Sequence, residues 1–338
     1  MKLVCAMLLG FVLDLIFGDP HGLVHPVQII GWFIDKLKKG MQYLIYGCSY
    51  EEVKEKGIER KAGMEKAAGF FLMLFIVAGT YAVIYGMLYV AGMIHPLLRF
   101  CLETFFIYQI LATKSLKKES MKVYKKLKEG DLLGARKEVS YLVGRDTENL
   151  DESEVAKADV ETIAENTADG VIAPMLFIAL GGAPLGFAYK AVNTLDSMVA
   201  YRNEELIHIG FFSAKMDDIC NFVPARFAAV MMMLAAFFLR FDFKGAVRIF
   251  KRDRFAHLSP NSAQTEAVAA GALQIQLGGT HNYFGKAVVK PTIGDAIRPV
   301  EYEDIKRTNQ LLYVSAFLSM AVCTLITFLL YTQLFKFM

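Results

Sequence analysis

ETIAENTADGVIAPMLFIALGGAPLGFAY, residues Glu161–Tyr189, decides how this chain folds. Its first nine residues carry Glu161, Glu165, Asn166 and Asp169, and the 20 from Gly170 to Tyr189 carry no Asp, Glu, Lys or Arg. A run of about 20 apolar residues is what a helix needs to cross roughly 30 Å of hydrocarbon. Inside this run, however, stand Pro174, Gly181, Gly182, Pro184 and Gly186. Gly and Pro are the poorest residues for a helix interior. The segment is therefore expected to be membrane-compatible but broken or re-entrant, with a polar cluster at one end.

Five further apolar segments flank it, at about 3–17, 67–93, 96–113, 219–239 and 308–335. Ala67–Leu98 runs 32 residues without a formal charge and Thr308–Phe335 runs 28. The whole chain is 55% hydrophobic and 21% charged. These features predict an all-α polytopic integral membrane protein, one domain over 1–338, with about 4–6 apolar helical segments. His95-Pro96 is expected to mark a tight hairpin between two of them. The apolar start, with Lys2 and Asp14, reads as a retained first helix. Five scattered cysteines give neither a disulfide frame nor a zinc site.

The hydrophilic stretches fix the sidedness. Residues 36–66 hold eight Lys/Arg against five acids, 114–145 ten against four, and 240–254 six against two. By the positive-inside rule the stretches 36–66, 114–169 and 240–307 are cytoplasmic. Segments 170–189 and 219–239 must then both cross or both stay on one side. Residues 116–141 have helical apolar spacing and a turn at Gly130-Asp131, which predicts amphipathic cytoplasmic helices. Residues 261–277 read as a small-residue helix ended by Gly278-Gly279. A net charge of +3 without a basic stripe excludes nucleic acid as a partner.

Four polar clusters sit at segment ends. Glu161, Glu165 and Asp169 fall on one helical face, which is either a solvated acidic face or a cation site. Asn193, Asp196 and Ser197, with Tyr201 a turn on, suit Mg²⁺ or a capping turn. Asp217, Asp218 and Asn221 precede Arg226. GDPHGLVHPV (18–27) brings Asp19 and His25 next to Asp14, an acid inside an apolar helix and so a functional candidate. Late in the chain Lys290 and Asp295 lie in a Gly-rich stretch without a Walker A loop. Carboxylates combined with Arg and Lys point to Mg²⁺ and phosphate chemistry.

Longer motifs then carry a resemblance: DLIFGDPHGLVHPVQIIG (14–31), GRDTENLDESEVAKADVETIAENTADGVIAP (144–174), GGAPLGFAYKAVNTLDSMVAYRNEE (181–205), AKMDDICNFVPAR (214–226) and LSPNSAQTEAVAAGALQIQLGG (258–279). In these the chain resembles the adenosylcobinamide-phosphate synthase family of cobalamin biosynthesis (CbiB/CobD). The resemblance implies a ligase joining adenosylcobyric acid to aminopropanol or aminopropanol phosphate, with ATP and Mg²⁺, through an acyl phosphate. The corrinoid is then a substrate, not a prosthetic group. Implied catalytic residues are Glu165, as base, with Glu161, Asp169 and Asp196. Implied metal groups are Asp146, Glu161, Asp169, Asp196, Asp217 and Asp218. Implied substrate contacts are Asp14, Asp19, His25, Asn166, Asn193, Ser197, Tyr201, Arg226, Asn261, Lys290 and Asp295. One departure is PNSAQTE at 260–266, where the family pattern has an aromatic position. The bilayer and other cobalamin-assembly enzymes are the expected partners, with the site on the cytoplasmic face of the cell membrane. The alternatives are an intramembrane Mg²⁺-dependent phospho- or prenyltransferase, or a corrinoid or anion transporter.

Overall fold

The computed structural model of the chain describes residues 1–19, 25–201, 203–283 and 285–334. Pro20–Val24 of the GDPHGLVHPV motif lie outside them. Helices dominate in chain order: α1 (Lys2–Phe17), α2 (Pro26–Tyr46), α3 (Tyr50–Glu55), α4 (Ala62–Ile94), α5 (Pro96–Ile110), α6 (Thr113–Lys128), α7 (Leu132–Ser140) and α8 (Glu152–Asn166). A π-helical turn, Thr167–Ile172, leads into α9 (Ala173–Val199). Then come α10 (Phe211–Cys220), α11 (Phe222–Phe238), α12 (Phe243–Asp253), α13 (Ser262–Leu273), strands β1 (Leu277–Tyr283) and β2 (Lys286–Ile293), and α14 (Glu303–Leu334).

Among the described residues, three helical runs are long and apolar enough to cross a membrane: Ala62–Ile94, Glu152–Val199 and Glu303–Thr332. The pair α10 and α11, bent by 45° at Asn221, makes a fourth if it counts as one span. With 33 residues α4 is about 50 Å long. It reverses at His95, whose extended backbone ends the helix while its Nδ1 accepts the Leu97 N–H at 3.1 Å. Pro96 opens α5, where its missing N–H costs nothing. The predicted hairpin is there. So is the predicted turn between the amphipathic helices α6 and α7, where Gly130 takes φ +73° and the Asp131 side chain accepts the Gly134 N–H at 2.8 Å.

The run that opened the sequence argument is folded back on itself. Gly181 (φ −145°, ψ 20°) and Gly182 (φ 68°, ψ −164°) leave helical geometry, and only glycine adopts the second without strain. On a straight helix Phe177 and Tyr189 would lie about 18 Å apart along the axis, yet their rings stack at 4.8 Å. The Tyr189 hydroxyl likewise reaches the Asp169 carbonyl at 3.2 Å, across 20 residues. A Cβ at Gly186 would collide with Ile178, so the arms touch at close range. The second arm, 183–199, is about 25 Å long, short of the hydrocarbon thickness, while the first continues unbroken from α8 through the π-turn. The segment is a helical hairpin whose two arms pack against each other.

Helix α13 departs from its predicted range. It stops at Leu273 because Gln274 takes a left-handed conformation (φ 60°), and the chain continues as a strand from Leu277. β1 and β2 pair antiparallel with Leu277 opposite Ile293, and the register shifts at Gly278/Gly279. The two glycines thus form a bulge inside a β-hairpin rather than a helix stop. Residues Ala263–Leu273 are all buried. Their small side chains let α12 pack so closely that a Cβ at Gly271 would strike the Gly245 carbonyl.

Candidate active site

Helix α8 begins at Asp151, whose side chain accepts the Glu154 N–H at 2.8 Å while Glu154 returns the bond to the Asp151 N–H at 2.9 Å. This capping box fixes the start of the helix that bears Glu161 and Glu165. The π-turn follows at once. Its wider turn breaks the i,i+4 succession, so Glu161, Glu165 and Asp169 do not share one uninterrupted face. π-turns of this kind are frequent at functional sites.

Asp169 instead joins the second arm of the hairpin and α10. It interacts electrostatically with Asp217, Glu165, Asp196 and Lys190. Tyr189 Oη lies 2.8 Å from Asn221 Oδ1, Asn221 Nδ2 donates to Asp217 Oδ2 at 3.0 Å, and the Asn193 side chain donates to Asp217. The Asp217 Oδ1 atom is buried and unpartnered among the described residues. The carboxylates of Glu165, Asp169 and Asp196 take no hydrogen bond from any described residue. Four acids from α8, the π-turn, α9 and α10 therefore lie within electrostatic reach of one another, with Lys290 near Glu165 and Lys190 near Asp169 as the opposing charges.

Next to this group, a pocket of about 150 Å³ opens between α8, residues 142–145, α13 and the β-hairpin. Glu161 lies in its wall and is already bound: Arg145 Nη1 is 2.9 Å from one oxygen and the Gly278 N–H donates to the other at 2.7 Å. Glu165, Asn166, Lys290, His257 and Glu266 complete the polar lining. His257 Nδ1 is 3.2 Å from Ser262 Oγ and 3.5 Å from Glu266 Oε1. Burial pushes the Glu266 carboxyl well above its ordinary range, and burial likewise lowers His257.

A third cluster borders the acids. Arg226 lies 3.7 Å over the Phe222 ring and donates to Asn261 Oδ1 at 3.2 Å. Asn261 Nδ2 donates to the Asp218 carbonyl at 2.9 Å, and Ser259 Oγ to Asp218 Oδ1 at 3.3 Å. Arg226 thus keeps neutral hydrogen-bond partners and an uncompensated charge, the state expected of an anion clamp.

Other expected site residues have local structural work. Asp14 accepts the Thr113 N–H at 3.1 Å and the Lys114 N–H at 3.5 Å, capping α6 from a distant helix. His25 caps α2 through Nδ1, with Nε2 3.0 Å from the Gln109 carbonyl and 3.9 Å from Asp19. Asp146 accepts the Gly285 N–H at 2.8 Å, and Asp295 is held by Arg248 and Arg252 at 2.7 Å each. Asn166 donates to the Thr162 carbonyl at 2.9 Å, and Ser197 to the Thr194 carbonyl at 3.0 Å. Tyr201 is exposed beyond the end of α9. Four residues that sequence reasoning passed over belong here: Lys190, Arg145, His257 and Glu266. Glu266 had a signal, as a lone acid in an alanine-rich run; Arg145 sat unremarked beside Asp146.

Among the described residues, no group of three or more His, Cys, Asp or Glu stands close enough to hold a metal ion unaided. Mg²⁺ does not need one, since it is commonly held by one or two carboxylates together with phosphate oxygens and water. Asp169 and Asp196, which take no hydrogen bond from a described residue, and Asp217, whose Oδ1 is unpartnered among them, fit that requirement.

Fold and site define a polytopic membrane protein with a folded-back helical hairpin that carries two of four half-buried acids. The chain belongs to the CobD/CbiB family of cobalamin biosynthesis proteins. A family profile described as CobD/Cbib protein matches residues 7–312. "Cobalamin biosynthesis protein CobD" of Clostridium perfringens is 48% identical over 320 residues, covering 95% of this chain and 96% of the relative. "Cobalamin biosynthesis protein CbiB" of Salmonella choleraesuis is 42% identical, with the same coverage. "Cobalamin biosynthesis protein CobD" of Geobacter metallireducens is 44% identical over 324 residues, covering 96% of each. No solved structure matches the chain.

Proposed function

We propose that this protein joins the side-chain carboxyl of adenosylcobyric acid to aminopropanol or its phosphate, in an ATP- and Mg²⁺-dependent amide synthesis. The observation that carries the reading is the set Glu165, Asp169, Asp196 and Asp217, four acids within electrostatic reach of one another, three of which take no hydrogen bond from a described residue. Such an arrangement is costly unless a cation or cationic substrate completes it. In the reaction, the substrate carboxylate takes the terminal phosphoryl group of ATP and releases ADP. The amine then attacks the acyl carbon, and phosphate leaves.

Bound Mg²⁺ would neutralise phosphate charge, with Asp169, Asp196 and Asp217 as its holders. Glu165 lies between that group and the lined pocket, where it is placed to accept the proton lost by the attacking amine. Arg226 and Lys190 supply positive charge for anionic groups at the rim. The basic stretches beside the site support a cytoplasmic entry for the corrinoid. The test is incubation of the purified, reconstituted protein with adenosylcobyric acid, ATP, Mg²⁺ and either amine. An amide product by mass spectrometry that vanishes without ATP is expected. Absence of ATP-dependent product with both amines overturns the reading.

A further inference from the structure

A second pocket lies at the tip of the helical hairpin. There α1 begins, α4 turns into α5 and α14 ends, and between them is a cavity of about 490 Å³, inside the roughly 300–1,000 Å³ range of small-molecule sites. Its walls are of two kinds. Leu3, Met93, Pro96 and Phe100 are apolar, while Lys2, Arg99, Glu103, Tyr89 and Tyr331 supply polar groups. Glu103, one turn beyond Arg99, is within its electrostatic reach but accepts the Ala183 N–H at the hairpin tip. Neither Lys2 nor Arg99 has an ion pair or a side-chain hydrogen bond with a described residue. The Arg99 stem is nevertheless placed, packing where a Cβ on Gly92 would stand 3.2 Å from Arg99 Cδ.

The depth of the pocket narrows its ligand. From Ala67, where the charge-free run starts, to Ile94, α4 rises about 40 Å, close to the thickness of a bilayer with its headgroup layers. Arg99 is the first charge after that run and so stands at headgroup depth. Tyr81, Tyr85 and Tyr89 stack along α4 with ring centroids 6.0 and 6.5 Å apart, and all three are exposed. They form a flat track that runs from the pocket down the outside of the helix. A soluble anion would use the two cations and leave the apolar wall and the track bare. A hydrocarbon chain alone would use the track and leave the cations unanswered.

We propose that this pocket binds an anionic glycerophospholipid of the leaflet that meets the α4–α5 turn, its phosphate between Lys2 and Arg99 and an acyl chain along the tyrosine track. Basic pockets between membrane helices are where such headgroups bind. Snorkelling to water also satisfies a cation at a helix end, but it selects no lipid and needs no tyrosine.

The test measures binding and needs no turnover. Purified protein, stripped of lipid in detergent, is titrated with dioleoyl phosphatidylglycerol and read by native mass spectrometry. Phosphatidylethanolamine, neutral overall, is the lipid comparison; inorganic phosphate and deacylated glycerophosphoglycerol are the soluble ones. Phosphatidylglycerol should bind more tightly than phosphatidylethanolamine and resist displacement by either soluble anion. A Lys or Arg near a headgroup is worth about 1 kcal/mol, so Lys2→Gln and Arg99→Gln should each weaken binding about fivefold and together about 25-fold. Tyr85→Ala should weaken it with no change in charge, and Lys36→Gln, on α2 and outside the pocket, should not. Melting curves in the same detergent check the fold of each variant. They also give a second reading, since the lipid should raise the wild-type melting temperature and not that of the double variant. Equal affinity for the two lipids, displacement by inorganic phosphate, or unchanged affinity in the double variant overturns the proposal. So does a loss in Lys36→Gln as large as that in Arg99→Gln.

Discussion

Two sets of acids look alike along the chain and differ in what surrounds them. Asp14, Asp146 and Asp295 sit at the ends of apolar or Gly-rich stretches, as do Glu165, Asp169 and Asp196. Each of the first three is answered: Asp14 by the N–H groups opening α6, Asp146 by Gly285, and Asp295 by two arginines. The second three take no hydrogen bond from a described residue and lie within electrostatic reach of one another and of Asp217. A carboxylate given backbone donors closes a structural account, because helix starts leave N–H groups that must be satisfied. Carboxylates left to repel one another do not, and their repulsion needs a ligand. What donates to an acid separates its roles better than where the acid lies.

The comparison breaks first at activity. Asp169→Asn or Asp196→Asn should lower amide synthesis at least about 100-fold, the range found when one charge-stabilising group is removed from an active site. Asp295→Asn should keep most of the rate. Initial rates of product formation by mass spectrometry decide it, and near wild-type turnover in either site variant would remove that residue from the centre. Next in size is the hairpin tip that aligns the two arms. Gly182 has φ +68°, and a Cβ there would stand 2.5 Å from Glu103 Oε1. Gly182→Ala should therefore cost about 1–2 kcal/mol for the backbone alone, with activity falling too, since the tip sets Asp169 against Asp196. A lowered melting temperature with full activity would show that the tip does not position the acids.

Much of this architecture was legible in the sequence, for physical reasons that differ by element. Charge-free runs such as Ala67–Leu98 announce themselves by length, because a bilayer demands it. The break at Gly181-Gly182 was legible because Gly and Pro cluster nowhere else in an apolar segment. The π-turn was not, since one extra residue per turn leaves no mark on composition. The β-hairpin was missed because Gly278-Gly279 serve a helix end and a bulge equally well. At the site, the acids of α8, α9 and α10 were named, but their separation into a donor-poor group and a mixed-charge pocket was not. Glu161 meeting Arg145 and Gly278 is a tertiary fact, as is the electrostatic reach of Lys190 to Asp19 and Asp169.

A smaller effect tests the answered set. Asp14→Asn keeps the shape but weakens the cap on α6, so a loss of about 1 kcal/mol in stability is expected, with synthesis per folded molecule retained. Thermal melts paired with rate measurements check this. A large loss of turnover at unchanged stability would move Asp14 into the site.

The smallest effect carries opposite signs in the two sets. Hydrogen bonds from Arg252 and then Arg248 hold the Asp295 carboxyl below its ordinary range. A depressed acid stabilises the fold above the unfolded carboxylate value, and that contribution is lost as pH falls through the folded value. Asp295→Asn should thus melt slightly below wild type at pH 7, with the gap closing toward pH 3. Glu266 is the reverse: burial first, then Glu165 and Glu161, raise it. Its folded proton is held more tightly than in the unfolded chain, so its contribution is full below an unfolded pKa of about 4.3 and is lost as pH rises. Glu266→Gln, which cannot ionise, should match wild type near pH 4 and melt above it by pH 8. Melting curves of both variants from pH 3 to 8 make the comparison. Gaps that move in the same direction with pH would mean that Glu266 has a counter-charge in the folded protein and belongs with the answered acids.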